Sequence, residues 1–299
     1  MFLIAGGTGF VGSAVVEELK RRGLPVGALG RDAGRVRQRF GAGVEARAAD
    51  VTRPEQLVGA LQGAIVVINS VQFPNMPIEN ARKGWTFERV DFEGTRNLVE
   101  AAKQAGVKRF VYVSGVGAGP AAEKHWFRFK WQAEQYLATS GLEWSIVRPT
   151  WVFGPGDHSL NRLIGFARFL PFIPSFGDGL QAMQPVFIDD VGRVLADAAM
   201  KPEAANQMFE LGGPEIMTMN DVLNTALEVM GKKRPIIHQP VALGKVIGRL
   251  AAILPAPPLS VDAIDFITSP AVADTTHIER VLTPKLTPLR QGLETYLRR

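Results

Sequence analysis

The stretch FLIAGGTGFVGSAVVEEL (residues 2–19) constrains this chain more than any other. A short apolar run, glycines at 6, 9 and 12, and an amphipathic pattern succeed one another without a gap. Glycines there permit a tight turn and let backbone approach a pyrophosphate, which then rests on the free N–H groups of the following helix. This order predicts a dinucleotide site built from Gly6, Thr8, Gly9, Phe10, Val11 and Gly12.

Beyond this unit the chain alternates regularly. Strands are expected at 2–5, 25–29, 44–48, 64–69, 109–114 and 144–149, with helices at 10–22, 32–40, 54–61, 92–105 and 125–140. Near-continuous apolar strands separated by helices of this length mean βαβ units and a parallel sheet covered on both faces. The fold class is therefore α/β, a Rossmann-type doubly wound parallel sheet. After residue 150 proline- and glycine-punctuated loops such as FGPGD, FLPFIPSFGDG and LPAPPL break the rhythm, with helices expected at 189–200, 218–230, 241–253 and 286–298. We expect a dinucleotide-binding domain over 1–150 and a smaller, mixed C-terminal substrate lobe over 151–299, from which about 185–212 returns to the Rossmann core.

The residue ending the second strand separates NAD from NADP. An acidic side chain there would take the ribose 2′-hydroxyl, whereas this chain has Gly30 and then Arg31. A guanidinium pairs with a 2′-phosphate and stacks on adenine, so NADP(H) is favoured over NAD(H). Asp32 reads as a helix N-cap, and Arg37 and Arg39 as a solvated helix face. Asp50 and Val51, ending the third strand, are placed to meet the adenine, with a plain turn role for Asp50 as the alternative.

Composition removes other chemistries. The chain has no cysteine, hence no disulfide, thiolate nucleophile or thiolate metal site. Its four histidines lie at 125, 158, 238 and 277 without a ligand spacing, and no metal site is expected. A net charge of +5 favours anionic partners, but the basic residues are dispersed and carry no nucleic-acid motif. Because strand-forming residues begin at Phe2, no leader peptide is expected, and VALGKVIGRLAAIL is too short and too charged to span a bilayer.

The motifs GGTGFVG, VINS, VYVSGVG, VRPTWVFGPGD and QPVFIDDVGRVLADAAM occur in an order that resembles the extended and atypical short-chain dehydrogenase/reductase superfamily. The likeness runs over nearly the whole chain. It is greatest to the atypical group containing the NADPH-binding accessory subunit of respiratory complex I and its bacterial relatives. The resemblance implies cofactor contacts from Asn69, Ser70, Lys130 and Pro149. It also implies a serine, a tyrosine and a lysine as the reacting set, with Ser114 and Lys130 in the serine and lysine positions. Trp126 stands where the tyrosine would be, and an indole N–H donates only. His125 is turned about 100° away on the helix, and Tyr136 lies on a different part of it, so neither replaces the phenol.

Phe166, Phe169, Phe172 and Phe176, together with residues 241–267, add apolar surface edged by Lys245 and Arg249. Most of this is core; the sharper alternative is a hydrophobic substrate pocket or a membrane-facing lip. Arg148, Asp189 and Asp190 are read as structural. Two functions are compatible with these residues. One is an oxidoreductase acting on a hydrophobic carbonyl, quinone or isoprenoid-type substrate without the usual tyrosine. The other is a non-catalytic, NADPH-holding structural or redox-sensing protein of a membrane-associated complex. A third, sugar-nucleotide epimerisation, is the one most weakened by the missing tyrosine. A cytoplasmic location is expected, with peripheral contact at the inner face of a membrane as an extension of it; the oligomeric state stays open.

Overall fold

The computed structural model describes residues 1–251 and 260–298. Its first half contains β1 (Phe2–Ala5), α1 (Phe10–Arg21), β2 (Val26–Gly30), α2 (Ala33–Phe40), β3 (Glu45–Ala48), α3 (Leu57–Leu61), β4 (Val66–Asn69), α4 (Gly94–Gln104), β5 (Arg109–Val113), α5 (His125–Ala138) and β6 (Glu143–Pro149). The second half adds β7 (Val152–Phe153), α6 (Leu160–Gly165), β8 (Ile173–Phe176), β9 (Ala182–Met183), β10 (Val186–Phe187), α7 (Ile188–Met200), β11 (Gln207–Leu211), β12 (Met217–Thr218) and α8 (Met219–Val229). It closes with β13 (Ile236–Gln239), α9 (Val241–Ala251), α10 (Val261–Thr268), α11 (Thr276–Val281) and α12 (Leu289–Leu297).

Seven strands form one sheet in the order β11-β6-β5-β4-β1-β2-β3, every neighbouring pair parallel. The order reverses between β1 and β4, the switch point at whose carboxyl-end side folds of this kind take a ligand. Alternation along β1 divides the core. Ile4 packs into the layer of α1, α2 and α7, while Leu3 and Ala5 face the layer of α3, α4 and α5. On the first face α7 lies close against α1 because Gly192 has no side chain: a Cβ there would stand 2.9 Å from the Ala14 carbonyl oxygen. A third apolar cluster, around Phe153, Leu160, Leu223 and Leu293, gathers the second half of the chain.

The six strands expected in the first 150 residues are present. The seventh, β11, lies beyond the strands expected from sequence; it adds to β6 from Gln207↔Ser145 to Leu211↔Pro149. The helix expected at 54–61 opens as a 3-10 turn, Pro54–Gln56, with the proline in the first turn, where its missing N–H costs no intrahelical bond. Ahead of α4 the chain winds as a π-helix, Phe87–Glu93, capped by Thr86 Oγ1 accepting from Arg89 N at 3.1 Å. The helix expected at 286–298 starts only at Leu289, behind Pro288. Residues 252–253 of the helix expected at 241–253 and the LPAPPL loop (254–259) lie outside the described residues.

Candidate functional site

The glycine loop leaves β1 with Gly6 at φ +77°, a conformation only glycine adopts without strain. At Gly12 a Cβ would stand 2.3 Å from Gly6 O and 2.6 Å from Ser70 Oγ, so the first turn of α1 closes onto the loop only with glycine there. Gly9 is the N-cap, no side chain caps this helix end, and its first turn carries no acidic residue. A Cβ at Gly9 would meet only Gly6 O, at 3.1 Å, with open space otherwise. The first-turn N–H groups of α1 thus remain for an anion, and the loop with Thr8, Phe10 and Val11 fits a pyrophosphate.

Beside it, Arg31 is exposed at the end of β2, and Asp32 caps α2 by accepting from Gly34 N at 2.7 Å. Arg39 is exposed, as the sequence reading has it, but it is not only solvated. Its guanidinium donates to Ser13 Oγ at 2.9 Å and to Thr8 O at 3.4 Å. The cause is tertiary, since α2 runs back past the glycine loop. Arg37 is exposed.

The remaining nucleotide-side residues gather at the carboxyl ends of the strands. Asp50 Oδ1 accepts from Thr52 N (2.9 Å) and Thr52 Oγ1 (2.8 Å), a turn role that leaves Oδ2 for other partners. Val51 is buried beneath Gly94. Asn69 is buried, donating to Thr95 Oγ1 at 2.9 Å and accepting from Val71 N at 3.1 Å. Ser70 Oγ donates to Ala5 O at 3.0 Å, and Pro149 ends β6 beside Val116, whose N–H reaches Pro149 O at 3.2 Å.

The residues in the serine, tyrosine and lysine positions of the resemblance lie on the α3–α5 face. Lys130 projects from α5 and donates to Asp91 Oδ1 at 3.0 Å; both are buried. Burial opposes charge on Lys130, but Tyr112 and Asp91 beside it outweigh burial and hold its pKa above the usual lysine range. Burial pushes the Asp91 carboxyl up, and the Lys130 ammonium opposes that rise. Asp91 Oδ2 of this pair, and Ser114 Oγ and Trp126 Nε1 among the residues in the family's reacting positions, are buried without a hydrogen-bond partner. Such atoms are costly unless a ligand or water satisfies them. Trp126 is 3% exposed, packed against Phe87 and Phe127.

Two members escaped the sequence. Asp91, in the π-helix, looks in sequence like any acid ahead of a helix. Tyr112 was legible by alternation: it is two residues before Ser114 on the same strand face, and its ring centroid lies 5.7 Å from Lys130 Nζ. Its hydroxyl approaches Thr95 without a hydrogen bond of good geometry, and burial pushes its pKa well up, so it is no ready proton donor. His125 turns to Glu79 (3.2 Å) and Tyr136 to Glu100 (3.0 Å). Arg148 pairs with Glu134, and Asp190 accepts from Thr287 N at 2.6 Å and Thr287 Oγ1 at 2.9 Å.

On the substrate side Phe169 is 87% exposed, and Leu243, Val246, Ile247 and Leu250 leave one face of α9 open. Phe172 and Phe176 are half-buried, and Lys245 is paired with Asp265 at 2.7 Å. Among the described residues no helix is long and apolar enough to cross a membrane.

A parallel sheet with its reversal at β1 and β4, and an uncapped glycine-loop helix at that reversal, defines a Rossmann-type dinucleotide-binding protein. Residues 6–164 match the NAD(P)H-binding family, and the chain belongs to it. It is 30% identical over 245 residues to an NAD(P)H azoreductase of Xenophilus azovorans, covering 81% of this chain and 78% of that one. To the 40 kDa subunit of mitochondrial NADH-ubiquinone oxidoreductase of Neurospora crassa it is 28% identical, over 88% of this chain and 69% of the relative. The fold superimposes on an NADPH-dependent quinone oxidoreductase of Escherichia coli, complexed with NADPH, with a TM-score of 0.75 at 20% identity, over 99% of both chains. These relatives accord with the resemblance to atypical short-chain dehydrogenase/reductases and make the chain NAD(P)H-binding and oxidoreductase-like.

Proposed function

We propose that this protein is an NADP(H)-dependent oxidoreductase for a hydrophobic quinone or other conjugated acceptor, working without a tyrosine proton donor. The observation that carries this reading is the buried Lys130–Asp91 pair, together with the buried, unpartnered Ser114 Oγ, Asp91 Oδ2 and Trp126 Nε1. A bound nicotinamide would supply hydride. Gly6, Thr8, Gly9, Phe10, Val11 and Gly12 would hold its pyrophosphate, Arg31 and Arg39 its 2′-phosphate, and Asp50, Val51, Asn69, Ser70 and Pro149 would wall the pocket.

Lys130, held as an ammonium beside Asp91, would donate hydrogen bonds to the nicotinamide ribose rather than act as a base. Ser114 Oγ and Trp126 Nε1 offer hydrogen bonds to an acceptor oxygen or nitrogen, stabilising negative charge as it develops there. An acceptor whose reduced form is already a stabilised anion needs no proton from the protein in the hydride step, which suits quinones and conjugated bonds better than isolated ketones. Relatives named azoreductase and quinone oxidoreductase support this class.

The second reading, a non-catalytic holder of NADPH in a membrane-associated complex, is favoured by the buried Trp126 in the tyrosine position and by the likeness to the 40 kDa subunit. The open face of α9 would then be the contact surface. Stopped-flow oxidation of NADPH with a panel of quinones separates the two. The proposal expects turnover that falls at least about 100-fold in Lys130→Ala, in line with loss of a positioning contact. Bound NADPH that neither turns over nor exchanges with added nucleotide would overturn it in favour of the second reading.

A further inference from the structure

Outside the nucleotide site, three possible metal ligands meet from distant parts of the chain. They are Glu79 in the segment after β4, His125 at the start of α5, and Asp262 in the first turn of α10. One ligand atom from each lies within 4.8 Å of the others, and all three residues are half-buried. Two are held in place by unrelated contacts. Glu79 Oε1 accepts from Phe87 N at 2.7 Å, which presents Oε2 to His125 Nε2 at 3.2 Å. The imidazole is packed edge-on by Phe87 at 5.6 Å and Trp126 at 5.3 Å between ring centroids.

Charge gives an independent argument. The lysines at this junction, Lys124 and Lys245, both end on Asp265 at 2.7 Å. Neither lysine makes an ion pair with Glu79 or Asp262, like charges in one half-buried space, although Lys124 and the neighbouring imidazole act favourably on Asp262. Two carboxylates so placed repel each other unless a cation joins them. Donor type then narrows the cation. Two carboxylate oxygens and one imidazole nitrogen suit a borderline first-row divalent ion, with one position left for water. Zinc takes such ligands at about 2.0–2.2 Å, so ligand atoms sit roughly 3.5 Å apart; the Glu79–His125 pair is already near that spacing at 3.2 Å, and the others need a side-chain adjustment of about 1 Å.

We infer that Glu79, His125 and Asp262 form a zinc-type divalent metal site that fastens α10 of the C-terminal lobe to the start of α5, next to Trp126. The ligands are 46 residues apart at the first gap and 137 at the second (125 − 79 and 262 − 125), so no sequence spacing reveals the site. The inference does not depend on which reaction the nucleotide site performs.

The test is calorimetric titration of Zn²⁺ into chelator-stripped, desalted protein. The expected result is one ion per chain, bound at least about tenfold more weakly by His125→Gln and by Asp262→Asn, and unchanged in His158→Gln, which alters an exposed histidine. NADPH binding should match wild type in all variants, and in EDTA Asp262→Asn should melt no lower than wild type, because it removes one of the two like charges. A second readout needs no variant: Co²⁺ at the site should quench the emission of Trp126. No Zn²⁺ binding, equal affinity in all variants, or Co²⁺ binding that leaves the emission untouched each overturns the site.

Discussion

Replacing Asp91 with asparagine isolates the charge at the centre of the candidate site. The side chain keeps its shape and one acceptor but loses its negative charge, and Lys130 keeps its buried position 3.0 Å away. Removing one partner of a buried ion pair leaves the other uncompensated, a loss of about 3–5 kcal/mol. Against a total stability of about 5–15 kcal/mol for a typical domain, this is a large fraction. The pH dependence distinguishes the mechanism from ordinary misfit. In wild type the folded pKa of Lys130 is raised, so its contribution is fully present below the unfolded value of about 10.4 and is lost only as pH climbs through the folded one. In Asp91→Asn the Asp91 charge and hydrogen bond no longer oppose burial, leaving Tyr112 and Glu134 against it, and the prediction is that burial then wins and lowers the Lys130 pKa. Between that lowered value and about 10.4 the unfolded chain binds more protons than the folded one, so the variant gains stability as pH rises. Urea denaturation at pH 7 and pH 9.5 should therefore show a gap from wild type that narrows with pH, and adding Lys130→Met should recover most of the loss. A cost below about 1 kcal/mol, the worth of one ordinary hydrogen bond, together with a wild-type pH slope, would refute the buried-charge argument.

The same geometry sets other expectations. Gly12→Ala puts a methyl 2.3 Å from Gly6 O and should cost about 1–3 kcal/mol in thermal unfolding along with nucleotide binding. Gly9→Ala meets only Gly6 O at 3.1 Å, so calorimetry should find the fold kept and NADPH bound more weakly; equal effects of the two changes would mean the loop is structural alone. Arg39→Ala and Arg31→Ala should each weaken NADPH by about 1.5–3 kcal/mol in fluorescence titration while leaving NADH nearly unchanged, because in the proposed site each would lose a charged donor to the 2′-phosphate. Equal losses for the two nucleotides would place these arginines elsewhere.

The sheet and the phosphate loop were legible because both are local. Strands 2–5 and 109–114 announce themselves by short apolar runs, and Gly6, Gly9 and Gly12 by spacing within one turn-and-helix unit. Ser114, Lys130 and the substitution at Trp126 were placed by motif order, and the fold brings Ser114, Lys130 and Trp126 to one face of the sheet. The features that stayed hidden depend on contacts between distant parts of the chain. Strand β11 gains its role only by pairing with β6, and its residues carry too weak a pattern to declare it. Arg39 looked solvated because helix periodicity fixes which side a residue faces but not that the glycine loop stands there.

Sequence alone thus determined the class of fold, the nucleotide loop and the absence of the tyrosine, since each is written within a span of a few residues. Tertiary structure alone decided that Asp91 neutralises Lys130 across 39 positions, and that Glu79, His125 and Asp262 share one half-buried space. The physical reason is common to both. The energy of a buried charge depends on which charges surround it in space, and no pattern of period two or 3.6 carries that information.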